Sequence, residues 1–284
     1  MDRPVRVVGV PEHFNLPWHL ALEEGAFSKN GIHLTWTDVP EGTGRMAGML
    51  ESGEADLAVI LTEGLVRAVS AGTPAVIVQE YIASPLLWGI HVDAASPYKE
   101  EKELEGKTVA ISRFGSGSHL MAYVHAQNQG WDPDRLRFQV VDTLEGAVEA
   151  LREGKADYFM WERFTTQPLV DQGTFRRVGV CPTPWPCFVV AATADFSSKQ
   201  PALLSNILRI LNLFTSEFKQ IPSIDRTLAI RYGQQPEAIR EWLSLTQWSQ
   251  DQIGEHILVN VIDTLDKLNL LSKSLAPGEL LWKP

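Results

Sequence analysis

Short apolar runs alternate along the first part of the chain with longer stretches in which apolar residues recur at helical spacing. Each apolar run has the length of a strand buried in a sheet, and the runs cover residues 5–10, 32–37, 55–60 and 75–81. The helical stretches between them cover residues 18–26, 44–51 and 63–71, and the last one stops at Gly72. Strands and helices that alternate in this order predict a parallel sheet with helices on both faces.

A second series of the same kind begins at residue 86. Its predicted strands are 86–92, 108–112, 137–141, 157–161 and 188–193, and its predicted helices are 118–129, 144–152 and 165–171. From residue 196 to about residue 271 the pattern is helical, with breaks near Pro222, residues 233–236 and Ser249. We therefore predict an α/β protein in which the chain crosses twice between two lobes. Lobe 1 is expected at residues 1–93 plus 194–284, including the C-terminal helices, and lobe 2 at residues 94–193.

An internal repeat supports two similar lobes. Residues 50–56, LESGEAD, are answered by residues 151–157, LREGKAD. In both copies a helical run ends near a glycine, which suits a left-handed helix cap, and an Ala-Asp step then leads into a short apolar run. Open α/β sheets bind ligands beyond the carboxyl ends of their strands. Two such lobes predict a ligand cleft between them, each lobe having a mostly parallel sheet flanked by helices.

The charge balance narrows the classes of partner. The 284 residues include 35 Asp and Glu against 25 Lys and Arg, a formal net charge of −10. A field of this sign opposes binding to nucleic acid or to an anionic membrane, and no apolar run approaches the roughly 18 residues of a membrane span. Metal-ligand spacings, a P-loop, a dinucleotide fingerprint and a G-x-S-x-G elbow are all missing from the sequence, so neither a cofactor nor a metal is expected.

The beginning of the sequence bears on location. The first strand starts at residue 5 with no signal sequence before it, so the chain as written is expected in the cytoplasm. It is expected in the periplasm if a leader has been removed. In the cytoplasm, Cys181 and Cys187 are expected to be thiols rather than a disulfide.

Four segments together resemble a known family. Residues 21–32, ALEEGAFSKNGI, are similar to the A-x-E-x-G-x-F-x-x-x-G-I run of type 2 periplasmic-binding-protein folds. The segments SGEAD (52–56), LEGKTVA (104–110) and GSGSHL (115–120) agree with the same family in the same order. The resemblance is to the nitrate, sulfonate, taurine and thiamine-precursor branch of ABC-transporter substrate-binding proteins, in a member without a signal sequence. It implies two lobes that close by hinge bending on a small molecule, and an ABC permease as partner if the protein is exported.

In lobe 1 the candidate ligand-binding residues follow the predicted strands. They are His13, Phe14, Asn15 and Trp18 after the first strand, Gly42, Thr43 and Gly44 after the second, and Thr62 and Glu63 after the third. His13 and Asn15 can hydrogen-bond a ligand, whereas Phe14 or Trp18 can cover an apolar ring. For Trp18, core packing on the sheet is the favoured alternative, and Thr62 with Glu63 is compatible with simple helix capping.

In lobe 2 the main candidate is a turn between strand and helix, Gly115-Ser116-Gly117-Ser118-His119. Free backbone N–H groups and the helix dipole suit this turn to an anionic group, although Ser116 or Ser118 can also be plain caps. Arg113 can add a charge-assisted bond or be an ordinary surface residue. The other candidates are Trp161 with Glu162 at the end of a strand, the alternative being a partly buried Trp beside a solvated Glu, and Trp185.

These candidates favour a binding protein over an enzyme. Aromatic and acidic side chains outnumber basic ones at the predicted cleft, which predicts a small heteroaromatic or amine-bearing ligand with an anionic group, such as a thiamine-precursor-like pyrimidine. The alternatives are a lyase or transferase on the same fold, with His13, His119 or Glu162 as acid or base, and the binding component of an ABC transporter. No pair of residues in the sequence indicates a nucleophile with its base.

Overall fold

The computed structural model describes residues 3–283, so Met1, Asp2 and Pro284 at the ends of predicted lobe 1 lie outside it. The chain forms two compact units. Unit 1 contains the residues up to Ser84 and those from Trp185 onward, and unit 2 is Pro85–Pro184. None of the described helices is both long and apolar enough to cross a bilayer.

The described strands are β1 to β10 in chain order: Val5–Gly9, Leu34–Asp38, Leu57–Leu61, Ala75–Ile82, Leu87–Asp93, Thr108–Ile111, Arg137–Val140, Tyr158–Glu162, Phe175–Pro182 and Phe188–Thr193. The described α-helices are α1 to α13: Leu16–Glu23, Ala26–Lys29, Thr43–Ser52, Thr62–Ala71, Gly117–Gln129, Leu144–Arg152, Gln167–Asp171, Ala194–Lys199, Pro201–Glu217, Ile224–Tyr232, Pro236–Leu245, Glu255–Lys267 and Pro277–Leu280. The predicted helix 18–26 is divided into α1 and α2 because Gly25 between them has a φ of +67°.

Both units contain a five-stranded sheet with the same plan. In unit 1 the strand order is β2-β1-β3-β10-β4, and in unit 2 it is β7-β6-β8-β5-β9. In each sheet the strand in fourth place, β10 or β5, runs antiparallel to both of its neighbours. The remaining paired strands are parallel. The predicted fold class, two mostly parallel sheets flanked by helices, is confirmed.

The two antiparallel strands set where the units divide. β5 pairs with β8 and β9 and so lies in unit 2, whereas the sequence-based division had placed it in lobe 1. β10 pairs with β3 and β4 and so lies in unit 1, whereas that division had ended lobe 2 at residue 193. Hydrophobicity alone does not show which sheet takes a buried strand, and both of these strands are almost entirely buried.

The repeated Ala-Asp step has a structural reason in both units. The Asp56 carboxylate accepts the backbone N–H of Arg6 at 3.0 Å, and the Asp56 N–H donates to the Arg6 carbonyl at 2.9 Å. Asp157 does the same with Thr108, at 2.8 Å for both bonds. Asp56 therefore connects the start of β3 to β1, and Asp157 connects the start of β8 to β6. The repeated sequence predicts two similar units because the same strand-to-strand contact occurs in both.

Candidate functional site

In unit 1, the segments that follow β1, β2 and β3 meet the segment that precedes β10. Because β10 is antiparallel, its first residue lies at the edge where the parallel strands end, and Phe188 pairs with Leu61. Thr62 joins the two segments, since its N–H donates to the Cys187 carbonyl at 3.0 Å and its hydroxyl donates to the Pro186 carbonyl at 2.6 Å. The carboxyl edge of this sheet therefore gathers predicted residues from four segments that are distant in sequence.

Glu63 and Trp185 are brought together at this edge. The indole N–H of Trp185 donates to Oε2 of Glu63 at 2.8 Å, and both side chains are buried. The other carboxyl oxygen, Oε1, has no hydrogen-bond partner among the described residues. Burial raises the pKa of Glu63 to about 7, against the lowering effect of its own backbone N–H, of Trp185 and of Arg67. The carboxyl group therefore keeps its proton to a higher pH than an ordinary glutamate does.

The turn containing Gly42, Thr43 and Gly44 contacts the same region. Gly42 has a φ of +76° and directly precedes α3, which begins at Thr43. The methyl group of Thr43 lies against Gly64, where a Cβ atom would overlap it. The absence of a side chain at Gly64 thus lets the first turn of α3 approach the first turn of α4 beside Glu63.

His13, Phe14 and Asn15 lie after β1 within an aromatic cluster. The His13 ring is 5.1 Å from that of Phe14 and 4.2 Å from that of Trp242 in α11. Burial lowers the pKa of His13 to about 3, so this imidazole is neutral at physiological pH. Among the residues that the structure describes, His13 Nε2 and Asn15 Oδ1 are buried without a hydrogen-bond partner. Asn15 is oriented by its amide, which donates to the Val10 carbonyl at 2.8 Å.

Trp18 lies in the core of unit 1. It is fully buried in α1, and its ring stacks 6.0 Å from Phe27 of α2 and lies 5.7 Å from Trp36 of β2. These contacts are those of the core-packing alternative for this residue. The helix pattern in the sequence is the same for both roles.

In unit 2, the serines of the strand–helix turn bond mainly to one another and to the backbone. Ser116 is the N-cap of α5 and accepts the His119 N–H, while Ser118 Oγ accepts the N–H of Ser112 at 3.1 Å and lies 3.0 Å from Ser116 Oγ. The Gly115 N–H donates to Nδ1 of His119 at 3.1 Å, so this ring nitrogen acts as an acceptor within the turn. Arg113 is exposed. The turn is thus a rigid cap whose side-chain oxygens are already engaged.

The described contacts of Glu162 and Trp161 are made to neighbouring residues of unit 2. The Glu162 carboxylate accepts the backbone N–H of Thr165 in the following turn, and burial raises its pKa. The Trp161 ring stacks on Phe159 at 5.4 Å and packs against a buried cluster that includes Ala147. The carboxylate thus caps a turn and the indole covers the core, and the alternative of a solvated Glu162 is wrong, because this side chain is buried.

Some residues of the site region were missed by sequence reasoning. Trp242 and Tyr232 reach His13 from α11 and α10, at ring-centroid distances of 4.2 and 5.8 Å. Their helices show only the ordinary amphipathic pattern, so nothing in the sequence connects them to residue 13. Within the described chain, no group of three or more His, Cys, Asp or Glu side chains could hold a metal ion. Cys181 and Cys187 are reduced and buried.

Comparison with known proteins agrees with this architecture. A family model described as Ca3427-like PBP matches residues 88–181, which lie within unit 2. No curated protein sequence matches the chain.

Solved structures match nearly the whole chain. The Candida albicans CA3427 gene product, which exhibits the generic periplasmic binding protein fold, is 24% identical with a TM-score of 0.88, covering 99% of this chain and 96% of that chain. The periplasmic aliphatic sulphonate binding protein SsuA from Escherichia coli is 18% identical with a TM-score of 0.79, at coverages of 99% and 98%. The alkanesulfonate-binding protein SsuA from Xanthomonas axonopodis pv. citri, bound to MOPS, is 15% identical with a TM-score of 0.83 over 100% of both chains. With two sheets of the same strand order and matches of this extent, the chain has the type 2 periplasmic-binding-protein fold that its sequence predicted.

Proposed function

We propose that this protein binds a small organic solute. One observation carries the proposal: four of the residues predicted from the sequence each have a buried polar atom without a hydrogen-bond partner in the described structure, namely His13, Asn15, Glu63 and Trp18. His13, Asn15 and Glu63 follow parallel strands of one sheet, at the edge where open α/β sheets bind ligands, whereas Trp18 lies in the core. Buried polar atoms are nearly always paired in native proteins, so a group of polar atoms without a protein partner at such an edge favours a ligand-binding role.

The proposed ligand combines an amine or a heteroaromatic ring with an anionic group. The aromatic surroundings of His13 and the carboxyl group of Glu63 favour the ring or amine. The first turn of α5, at Gly117 and Ser118, favours the anion, because the first N–H groups of a helix have no partner within the helix itself. The Xanthomonas relative binds MOPS, which joins a ring amine to a sulfonate, and this supports a ligand of mixed charge.

The proposal includes closure of the two units on the ligand by hinge bending, as in other two-domain binding proteins. Export, if it occurs, makes an ABC permease the partner that this function implies. Small-angle X-ray scattering tests closure, which should reduce the radius of gyration when ligand is added. An unchanged radius at saturating ligand would contradict closure and leave binding itself intact.

The central experiment is a thermal-shift screen of a metabolite library. A ligand at one hundred times its dissociation constant stabilises the folded state by about 2.7 kcal/mol, which is easily measured. Each compound that raises the melting temperature is then incubated with the protein and recovered for mass spectrometry. Unchanged ligand supports a binding protein, whereas conversion to product would show an enzyme. A library without any stabilising compound argues against the proposal.

A further inference from the structure

Glu63 is held in place by its neighbours. It lies in the first turn of α4, directly after β3, and only 1% of its surface is exposed. The preceding residue, Thr62, is fixed by the two bonds to the carbonyls of Cys187 and Pro186. Gly64, which follows, is packed by the methyl group of Thr43. The backbone on both sides of Glu63 is therefore constrained, and the carboxyl group has little freedom to find a different partner.

The carboxyl group itself is only half satisfied. Oε2 accepts the Trp185 indole N–H, whereas Oε1 is buried and has no partner in the part of the chain that the structure describes. A protonated carboxyl needs an acceptor for its O–H, and an ionised one needs a donor or a cation. Either state therefore leaves one interaction missing in the protein alone.

The charged surroundings do not supply that interaction. Arg67, one turn further along α4, is the charged side chain that acts on Glu63, and its effect is smaller than that of burial. Arg67 Nε donates to the Leu270 carbonyl at 3.4 Å. From the segment before β10 the contact to the carboxyl group is the Trp185 indole, and Thr43 of α3 packs on the neighbouring Gly64. A ligand group can therefore supply the donor that Oε1 lacks.

We propose that Glu63 is a specificity-determining residue, which accepts a hydrogen bond through Oε1 from a cationic or N–H-bearing group of the ligand and excludes an anion from that position. This inference rests on the proposed function and adds which end of the ligand unit 1 recognises. An ammonium, amidinium or protonated ring nitrogen supplies both the donor and the charge. A sulfonate or carboxylate at this position supplies neither and repels the ionised Glu63. Because ligand binding selects the ionised carboxylate, binding of a cation releases a proton.

The experiment compares three probes with the same phenylmethyl scaffold: benzylamine, benzyl alcohol and phenylmethanesulfonate. Thermal shifts are measured on the wild type, on Glu63→Gln and on the control Glu80→Gln, a buried glutamate of β4 that is paired with Ser249. Glutamine keeps an acceptor for Trp185 but cannot ionise. Benzylamine is expected to give the largest shift in the wild type and in Glu80→Gln, and to lose most of it in Glu63→Gln.

Titration calorimetry in phosphate and in Tris should show proton release with benzylamine in the wild type, and none in Glu63→Gln. The wild-type dissociation constant should tighten several-fold between pH 6 and pH 8.

Two kinds of result overturn the inference while the proposed function stands. One is an equal benzylamine shift in the wild type and in Glu63→Gln, or a Glu63-dependent shift with phenylmethanesulfonate. The other is a library ligand that stabilises wild type and Glu63→Gln equally while all three probes fail. If neither the probes nor the library stabilise the wild type, the inference and the proposed function both fail.

Discussion

The pH dependence of stability provides the sharpest test of the state of Glu63. Its folded pKa is about 7, and its ordinary value is 4.5. Since the folded value is the higher one, the protonated carboxyl is favoured by folding, and the stability that it contributes is fully present below pH 4.5. That contribution is lost as the pH rises from 4.5 to 7. The difference of about 2.5 between the pKa values corresponds to about 3 kcal/mol, at about 1.4 kcal/mol per pKa unit.

Glu63→Gln removes this titration and keeps the size and shape of the side chain. The wild type should therefore lose about 3 kcal/mol of unfolding free energy relative to Glu63→Gln between pH 4.5 and pH 8. Urea unfolding followed by circular dichroism at several pH values measures the difference, and Glu51→Gln, an exposed position of α3, provides the control. A difference between wild type and Glu63→Gln that stays constant over this range would contradict a raised pKa of Glu63, because it would show that burial does not hold the proton on this carboxyl group.

Three further substitutions test the scaffold of each unit by urea unfolding. Asp56→Asn should cost about 2 kcal/mol, because it removes the charge-assisted bonds from Arg6; a loss below 0.5 kcal/mol would contradict this role. Gly64→Ala should cost about 1–3 kcal/mol by overlap with Thr43, and Thr43→Ser should recover part of that loss; simple additivity of the two changes would disprove the contact. Ser118→Ala should cost about 1–2 kcal/mol by leaving a buried N–H unpaired, and an unchanged stability would show that this bond is dispensable.

The sequence predicted most strands because their apolar residues point to a buried sheet on both faces. Strand β9 was missed, and its two arginines explain why. Arg176 donates to the carbonyls of Ser96 and Tyr98, and Arg177 donates to the Arg163 carbonyl and to the Gln167 side chain, so both guanidinium groups are bonded within the protein. Those partners are distant in sequence. Two adjacent arginines in a short strand therefore make the segment look like a loop in the sequence.

The positions at which the chain passes from one unit to the other also depend on contacts between residues that are distant in sequence. β5 and β10 occupy the same place in the two sheets. In the sequence, β5 comes just after the first segment of unit 1, and β10 comes just after the end of unit 2. A periodicity argument identifies both as buried strands and cannot assign either to a sheet. The repeat at residues 50–56 and 151–157 was more informative, because Asp56 and Asp157 make their contacts within a repeating unit and so leave the same local signature.

For the site, the sequence identified positions and could not identify which side chains remain unsatisfied. Glu63 follows a buried strand, Glu162 ends one, and both side chains are buried. Glu162 accepts the N–H of Thr165 in its own turn, whereas Glu63 meets Trp185, 122 residues away, and keeps one oxygen unpaired. Whether a polar residue at a strand end caps its own turn or awaits a ligand depends on where its second polar atom points. That direction is fixed by segments such as 185–187, which fold onto the strand end from elsewhere in the chain. A polar motif in the sequence therefore predicts where a site lies. The polar atoms that have no hydrogen-bond partner in the folded protein indicate what the site can bind.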